Sequence, residues 1–138
     1  MSWDLHTVRE GAALAIKSIP GLSATAYIPT KILPPVAIIA TGSGEISSQD
    51  PIAEVELLAL VLVSRVENAA AQKKLDEYCS TNTNKSVERA ILDNPGLPFQ
   101  GANTCDDAVV VGWDAPAKYE IGGAEYFGVQ FHLAALLS

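Results

Sequence analysis

The sequence has few of the features that mark secreted, membrane-spanning or nucleic-acid-binding proteins. It contains two cysteines in 138 residues, Cys79 and Cys105, and their spacing fits no metal or redox motif. We therefore expect both thiols to be reduced and to serve as small apolar side chains. Nine basic residues against sixteen acidic ones give a net charge of −7, which argues against a patch that neutralises nucleic-acid phosphates.

Long apolar runs are also missing. The longest, Leu57 to Val63, is followed by Ser64 and Arg65, whereas a helix that spans a bilayer needs about 20 apolar residues. The first six residues lack the basic-then-apolar order of a secretion signal. These absences predict a soluble protein that does not cross a membrane and is not exported by the signal-peptide route.

No recognisable catalytic motif is present. Gly42-Ser43-Gly44 resembles part of a phosphate-binding loop, but no Lys-Ser or Lys-Thr follows it. We interpret the segment from Thr41 to Pro51 as a mobile loop between two strands, because it is small, polar and rich in turn-forming residues. The Gly-x-Ser-x-Gly motif of many hydrolases does not occur.

The histidines and the C-terminal aspartates do not form an evident catalytic cluster. His6 and His132 lie on different predicted elements, and neither has a carboxylate or cysteine at ligand spacing. Asp106, Asp107 and Asp114 flank a predicted strand, where they would form either a cation site, an acid–base pair or ordinary turns; we favour turns. The sequence therefore predicts no catalytic residue, no metal site and no cofactor.

An excess of apolar strand surface is what the sequence does contain. Between Glu125 and Leu137 apolar residues alternate along one face, which predicts a strand. In the strand from Ile52 to Val63 the alternation stops after Glu56, so both of its faces are apolar and we expect burial on both sides. The strand from Ala108 to Trp113 is apolar as well. The predicted core face of the last strand consists of Phe127, Val129, Phe131, Leu133, Ala135 and Leu137.

Burial on both sides requires two covering surfaces. The chain's own helices can cover one face, and a second copy of the chain or another protein can cover the other. We therefore interpret the protein as an assembly component. The candidate interface residues are Leu58, Leu60, Leu62, Gly42, Ser43, Gly44 and Trp113. Trp3 and Trp113 also fit the description of ordinary half-buried aromatics.

Helical periodicity occurs in three segments. The first, from Leu5 to Ile19, ends at Pro20-Gly21. Ser64 and Glu67 have the spacing of a capping box, which predicts the start of a second helix. We expect Asn84 to cap a short third helix. The predicted inward-facing residues of the second and third helices are Ala71, Leu75, Tyr78, Val87, Ala90 and Ile91.

These segments combine into one predicted fold. With further strands from Ser23 to Ile28 and from Val36 to Ala40, the order is α-β-β-β-α-α-β-β over residues 1–138. This order predicts a single α+β domain whose mixed or antiparallel sheet is packed by helices. The segment from Leu97 to Asp107 has no clear period, and we expect Phe99 to anchor it to the core.

Three C-terminal segments carry a resemblance to a known family: Lys85 to Pro95, Asp107 to Trp113 and Tyr119 to Gly128. In order and character they resemble the C-terminal half of tail terminator proteins from long-tailed phages of actinobacteria. The upstream part is similar in kind, with a helix that ends in Ile19-Pro20-Gly21-Leu22 and a segment from Val63 to Tyr78 that enters the second helix. The resemblance covers most of the chain, although the strand before the loop is shorter and richer in proline than expected.

The resemblance implies a homo-oligomeric ring, with six subunits the expected number, that caps the tail tube and stops its growth. Such a ring is assembled in the host cytoplasm and joins the major tail tube protein to the head-side connector of the virion. DNA passes through its lumen without specific binding. Alternative interpretations are another head–tail connector or stopper protein, a small cytosolic enzyme that uses Asp106, Asp107 or His132, and a module that binds a small molecule in an apolar cavity.

Overall fold

A computed structural model describes residues 4–46, 53–81 and 83–138, which form three helices and six strands. This architecture confirms the predicted α+β class and the order of elements, and it adds one short strand, β5, between the two predicted C-terminal strands. Trp3 and Ile52 lie outside the described residues. The elements are α1 (Leu5–Lys17), β1 (Ser23–Thr25), β2 (Val36–Ile46), β3 (Ala53–Ser64), α2 (Ala69–Cys79), α3 (Val87–Leu92), β4 (Asp107–Trp113), β5 (Ala117–Ile121) and β6 (Ala124–Leu137).

The strands form one mixed sheet in the order β1-β2-β3-β6-β4. β1 ends at Thr25 rather than at the predicted Ile28 and pairs with β2 in parallel, whereas the other pairs are antiparallel. On β6, Gly128 pairs with Leu62 of β3 on one side and with Ala117 of β5 on the other. β4 and β5 therefore follow one another along the same edge of β6.

The helices pack on one face of the sheet, which we call the helix-covered face. The predicted core stripe of β6 lies on it, and none of its six residues is more than 3% exposed. Leu75 of α2 and Ile91 of α3 are fully buried in the same cluster, as are Val8 and Ile16 of α1. The apolar stripes predicted for the helices therefore form the core against this face of the sheet.

α1 makes a close contact with the segment that follows α3. Gly11 lies against the backbone carbonyl of Leu97, and a Cβ at this position would collide with the carbonyl oxygen. Leu97 is itself fully buried, whereas Phe99 is only half-buried. The main anchor of this segment is therefore Leu97 rather than the predicted Phe99.

Two predicted helix caps were wrong. The cap of α2 is Asn68, whose Oδ1 accepts a hydrogen bond of 2.9 Å from the amide three residues further on. Ser64, the predicted cap, is the last residue of β3, because the strand continues further than its sequence pattern indicated and the chain then needs a turn. In the same way, Ser86 rather than Asn84 caps α3, with its hydroxyl 3.0 Å from the amide of Arg89.

β2 is longer than predicted. It extends to Ile46, so Thr41 and residues 44–46 pair with β3, and residues 41–46 belong to a strand instead of starting a mobile loop. The register shifts between Thr41 and Gly44, which is the signature of a β-bulge. The loop prediction was wrong for these residues because a bulge accommodates small, turn-forming residues within a paired strand. The rest of the predicted loop, residues 47–51, lies outside the described residues.

Candidate interaction surface

The candidate site is the face of the sheet opposite the helices, which we call the open face. On β3, Leu57 belongs to the core, so strand alternation places Leu58 and Leu60 on the open face. Both are half-buried, as are the residues opposite them on β6, His132 and Gln130. The two predicted interface residues Leu58 and Leu60 thus lie where no helix packs.

One end of the open face is closed by the chain itself. Leu62 is fully buried in a satellite cluster with Val36, Ile38 and Tyr126, and the guanidinium of Arg65 lies 5.8 Å from the centre of the Tyr126 ring. Other side chains that pack against this cluster include Ile32, Leu60, Tyr119 and Ile121. Leu62 was predicted to be an interface residue, but intramolecular contacts already cover it, so it is not available to a partner.

The other end of the open face is uncovered. A groove of about 320 Å³ opens between β2, β3 and β6, and a smaller one of about 240 Å³ beside it shares Glu54 and Ala134 as lining residues. Three large apolar side chains in these grooves reach solvent, Val111 with 70% of its surface exposed and Val109 and Leu136 with 42% each. We call this region the acidic end of the open face; its defining residues are Glu45, Glu54, Glu56, Val111, His132 and Leu136.

Two β-bulges shape the acidic end. In the bulge of β2, Gly42 lies against the side chain of Glu56, and a Cβ there would collide with the carboxylate. The register shift in β4 leaves Val111 without a partner in the ladder, which directs this residue outward. Ser43 and Gly44, two further predicted interface residues, line the larger groove as parts of a strand.

His132 is held between two carboxylates at the acidic end. Its Nε2 lies 3.0 Å from Oδ1 of Asp114, and its Nδ1 lies 3.3 Å from Oε2 of Glu56. The hydrogen bond with Asp114 raises the pKa of the imidazole above its usual value, partial desolvation opposes the rise, and Glu56 adds to it. Gln130 steadies Asp114 through a contact of 3.4 Å with its other oxygen.

This arrangement surrounds the imidazole of His132 with carboxylates. Both ring nitrogens of His132 are engaged by carboxylates, so neither is directed at a substrate or a metal ion. Within residues 4–46, 53–81 and 83–138, no three histidine, cysteine or carboxylate side chains are placed to hold a metal ion. His132, Glu56 and Asp114 form a charged network on the open face, which also exposes apolar side chains.

Sequence reasoning missed the network around His132, because its partners are distant along the chain. Glu56 is 76 residues away and Asp114 is 18 residues away. The pairing of β3 with β6 places His132 opposite Leu58, and Glu56, two residues before Leu58, lies on the same face of β3. A prediction of the pairing register between these two strands would have shown that these side chains are neighbours.

Trp113 and the aspartates are not gathered at one site. Trp113 pairs with Phe131 on the helix-covered face, where the two ring centres are 6.2 Å apart and Trp113 remains 48% exposed. It therefore lies on the opposite side of the sheet from Leu58. Asp107 begins β4 and Asp114 follows its end, so the strand separates the two carboxylates.

The two thiols are free and protonated at neutral pH. Burial raises the pKa of Cys79 and of Cys105 to about 11 in each case, and neighbouring aspartates add to the shift. Cys105 also lies 3.5 Å from the carbonyl oxygen of Pro95. These side chains fit the predicted role as small apolar residues.

None of the helices in the described ranges combines the length and the apolar character that crossing a membrane requires. No protein-family model matches the chain, and no curated protein matches it at a significant level.

Proposed function

We propose that the protein is the subunit of a phage ring, a tail terminator in type, which caps the tail tube, ends its polymerisation and joins it to the head-side connector. The proposal assigns the protein to the head–tail interface of the virion and gives it no catalytic role. Its sequence support is the resemblance of the segments Lys85 to Pro95, Asp107 to Trp113 and Tyr119 to Gly128 to that family.

The observation that carries the proposal is the half-covered open face of the sheet. Leu58 and Leu60 are half-buried there, and at the same face Val111 is largely exposed and Leu136 is partly exposed. Apolar sheet surface of this kind favours association, because a partner removes it from water. A second copy of the chain supplies such a partner without any other component.

Ring closure is the form of association that suits this surface. A head-to-tail interface continues until the chain of subunits closes on itself or becomes an open filament, and a terminator requires closure. A specific interface of this kind buries about 1,200 Å² or more in total. The net charge of −7 on each subunit opposes adhesion of DNA to the lumen, so that DNA passes without being gripped.

Single substitutions on the open face test this function. We expect Leu58→Asp and Leu60→Asp to preserve the fold and to reduce ring formation strongly, because assembly would bury an unpaired carboxylate. Leu14→Asp is the matched control, since Leu14 is 47% exposed on the outer side of α1. Native mass spectrometry measures the oligomers, and electron microscopy measures the lengths of tails assembled in the presence of each variant.

The expected result is that wild-type protein and Leu14→Asp form rings and give tails of uniform length, whereas the open-face variants do neither. Intact rings from both Leu58→Asp and Leu60→Asp would contradict the assignment of this face to the interface. Binding to filled heads, without binding to tail tubes, would identify a stopper instead of a terminator.

A further inference from the structure

Within the described ranges, the carboxylates Glu45, Glu54 and Glu56 at the acidic end of the open face have one basic contact, from His132 to Glu56. Glu45 and Glu54 are directly opposite each other on β2 and β3, where like charges repel. Glu56 lies on the same face and contacts His132. Over the described residues, no lysine or arginine forms a salt bridge with these three carboxylates. Cations from a second molecule would relieve the repulsion.

A surface of complementary charge lies beside α2. Lys73, Lys74 and Lys85 line a groove of about 430 Å³ between α2 and the end of β3. Lys85 pairs with Glu77 at 3.4 Å, whereas no carboxylate in the described part of the chain lies within 4 Å of the amine of Lys73 or Lys74. We call this surface the lysine groove.

An exposed apolar residue accompanies the lysines. Val66 lies in the turn between Ser64 and Asn68, both of which line the lysine groove, and 60% of its surface is exposed. The acidic end has the matching combination, carboxylates around the exposed Val111 and Leu136. The two surfaces are therefore complementary in charge and similar in their apolar content.

We propose that the acidic end of one subunit docks onto the lysine groove of the next subunit in the ring. This inference rests on the proposed function, because it assigns a geometry to the interface of that ring. Glu54 and Glu56 meet Lys73 and Lys74 across the interface, and the turn that carries Val66 covers the apolar side chains of the acidic end. The occupant of the open face is thus a second copy of this chain.

The positions of the two surfaces make the contact head-to-tail. Glu54 is near the start of β3 and Ser64 is at its end, so the surfaces lie about 33 Å apart along the strand. They also lie on opposite faces of the sheet, because α2 packs on the helix-covered face. A two-fold dimer brings the same patch of both subunits together and cannot join surfaces that point away from each other. A head-to-tail contact joins them in every pair of neighbours.

Charge placement also explains how acidic subunits associate at all. With a net charge of −7 each, two copies repel one another in most orientations. The lysine groove is positively charged, so it attracts the acidic end of another copy. The two surfaces face each other only in the proposed contact. Electrostatic complementarity of this kind orients the encounter and suppresses incorrect pairings.

Two charge-reversal variants test the docking. Glu54→Lys/Glu56→Lys and Lys73→Glu/Lys74→Glu each place like charges at every interface, so we expect either variant alone to need more than about tenfold higher concentration to form rings. In an equimolar mixture, each variant complements the other at every contact. The mixture should therefore form alternating rings with an even number of subunits, which native mass spectrometry identifies from their mass.

Controls separate local from global charge effects. Glu120→Lys/Glu125→Lys and Lys17→Glu/Lys31→Glu change the net charge by the same amounts, outside both surfaces, and should assemble as the wild type does. Reassembly on mixing requires folded chains, so it also excludes misfolding of the variants. If the wild-type protein forms rings but the charge-reversal variants assemble equally well, the docking contact is wrong and the proposed ring stands. The same conclusion follows if the two variants fail to assemble when mixed. A wild-type protein that stays monomeric at all concentrations, with tails of unregulated length, would overturn the proposed function itself.

Discussion

The two faces of this sheet are built from similar apolar residues, yet they differ in what covers them. The helix-covered face is closed by α1, α2 and α3, and the one buried polar residue among the described residues, Ser86, caps a helix there. The open face is closed at one end by Leu62 and its satellite cluster, and at the other end it exposes carboxylates beside Val111. An apolar strand pattern therefore predicts burial, but it does not identify the covering partner.

The largest expected difference between the faces is in stability. Leu75→Ala should lower the free energy of unfolding by about 2 to 5 kcal/mol, because Leu75 is fully buried and its loss leaves a cavity in the core. Leu58→Ala removes the same atoms from the half-buried open face, and the expected loss is about 1 kcal/mol in the isolated subunit. Denaturant unfolding should be measured at a dilution where native mass spectrometry finds monomers.

This pair of variants is informative because the chemical change is identical. Equal losses for Leu75→Ala and Leu58→Ala in the monomer would mean that the open face is as well covered as the core. If the loss for Leu58→Ala grows at concentrations where rings form, the additional part reports coverage of the open face by a neighbouring subunit.

A smaller effect distinguishes the observed cap of α2 from the predicted one. Asn68→Ala should destabilise the protein by about 1 kcal/mol, since it removes the acceptor for a backbone amide of the first turn. Ser64→Ala should cost less, because the Ser64 hydroxyl accepts a single exposed hydrogen bond from Val66 in the turn. The measurement is the thermal unfolding temperature of each variant. If Ser64→Ala lowered it more than Asn68→Ala, the helix would start at Ser64.

Much of the fold was predictable from periodicity. The six alternating residues of β6 and the apolar stripes of α2 and α3 are all in the core, because spacing determines which side chains share a face. The errors occurred where a local signal had two physical outcomes. Gly42-Ser43-Gly44 is compatible with a loop and with a bulge, and pairing with β3 decided in favour of the bulge.

The candidate surface was less predictable than the fold. Leu58, Leu60 and Leu62 follow the same alternation, yet Leu62 alone is fully covered, by contacts with residues as distant as Ile38 and Tyr126. Such coverage depends on how the loops and β5 are placed, which no short-range pattern records. The same holds for His132, whose partners come from two other parts of the chain.

The smallest predicted effect concerns the titration of the open face. Because Asp114 and then Glu56 favour the charged imidazole, the pKa of His132 should lie above its usual value of 6.5. Nuclear magnetic resonance can measure this pKa from the change of the His132 ring signal with pH. That signal is assigned as the one absent from the spectrum of His132→Gln. Asp114→Asn should lower this pKa more than Glu56→Gln does, since the contact with Asp114 contributes most. The reverse order would show that Glu56 is the main partner.

The same shift predicts a dependence of stability on pH. A pKa that is higher in the folded state than in the unfolded chain means that the protonated imidazole stabilises the fold. This contribution is complete below about pH 6.5, the unfolded value, and it is lost as the pH rises through the folded value. The difference in unfolding free energy between wild type and His132→Gln should therefore be larger at pH 6 than at pH 9. A difference that increases toward pH 9 would mean that the fold favours the neutral ring, contrary to the contacts with Asp114 and Glu56.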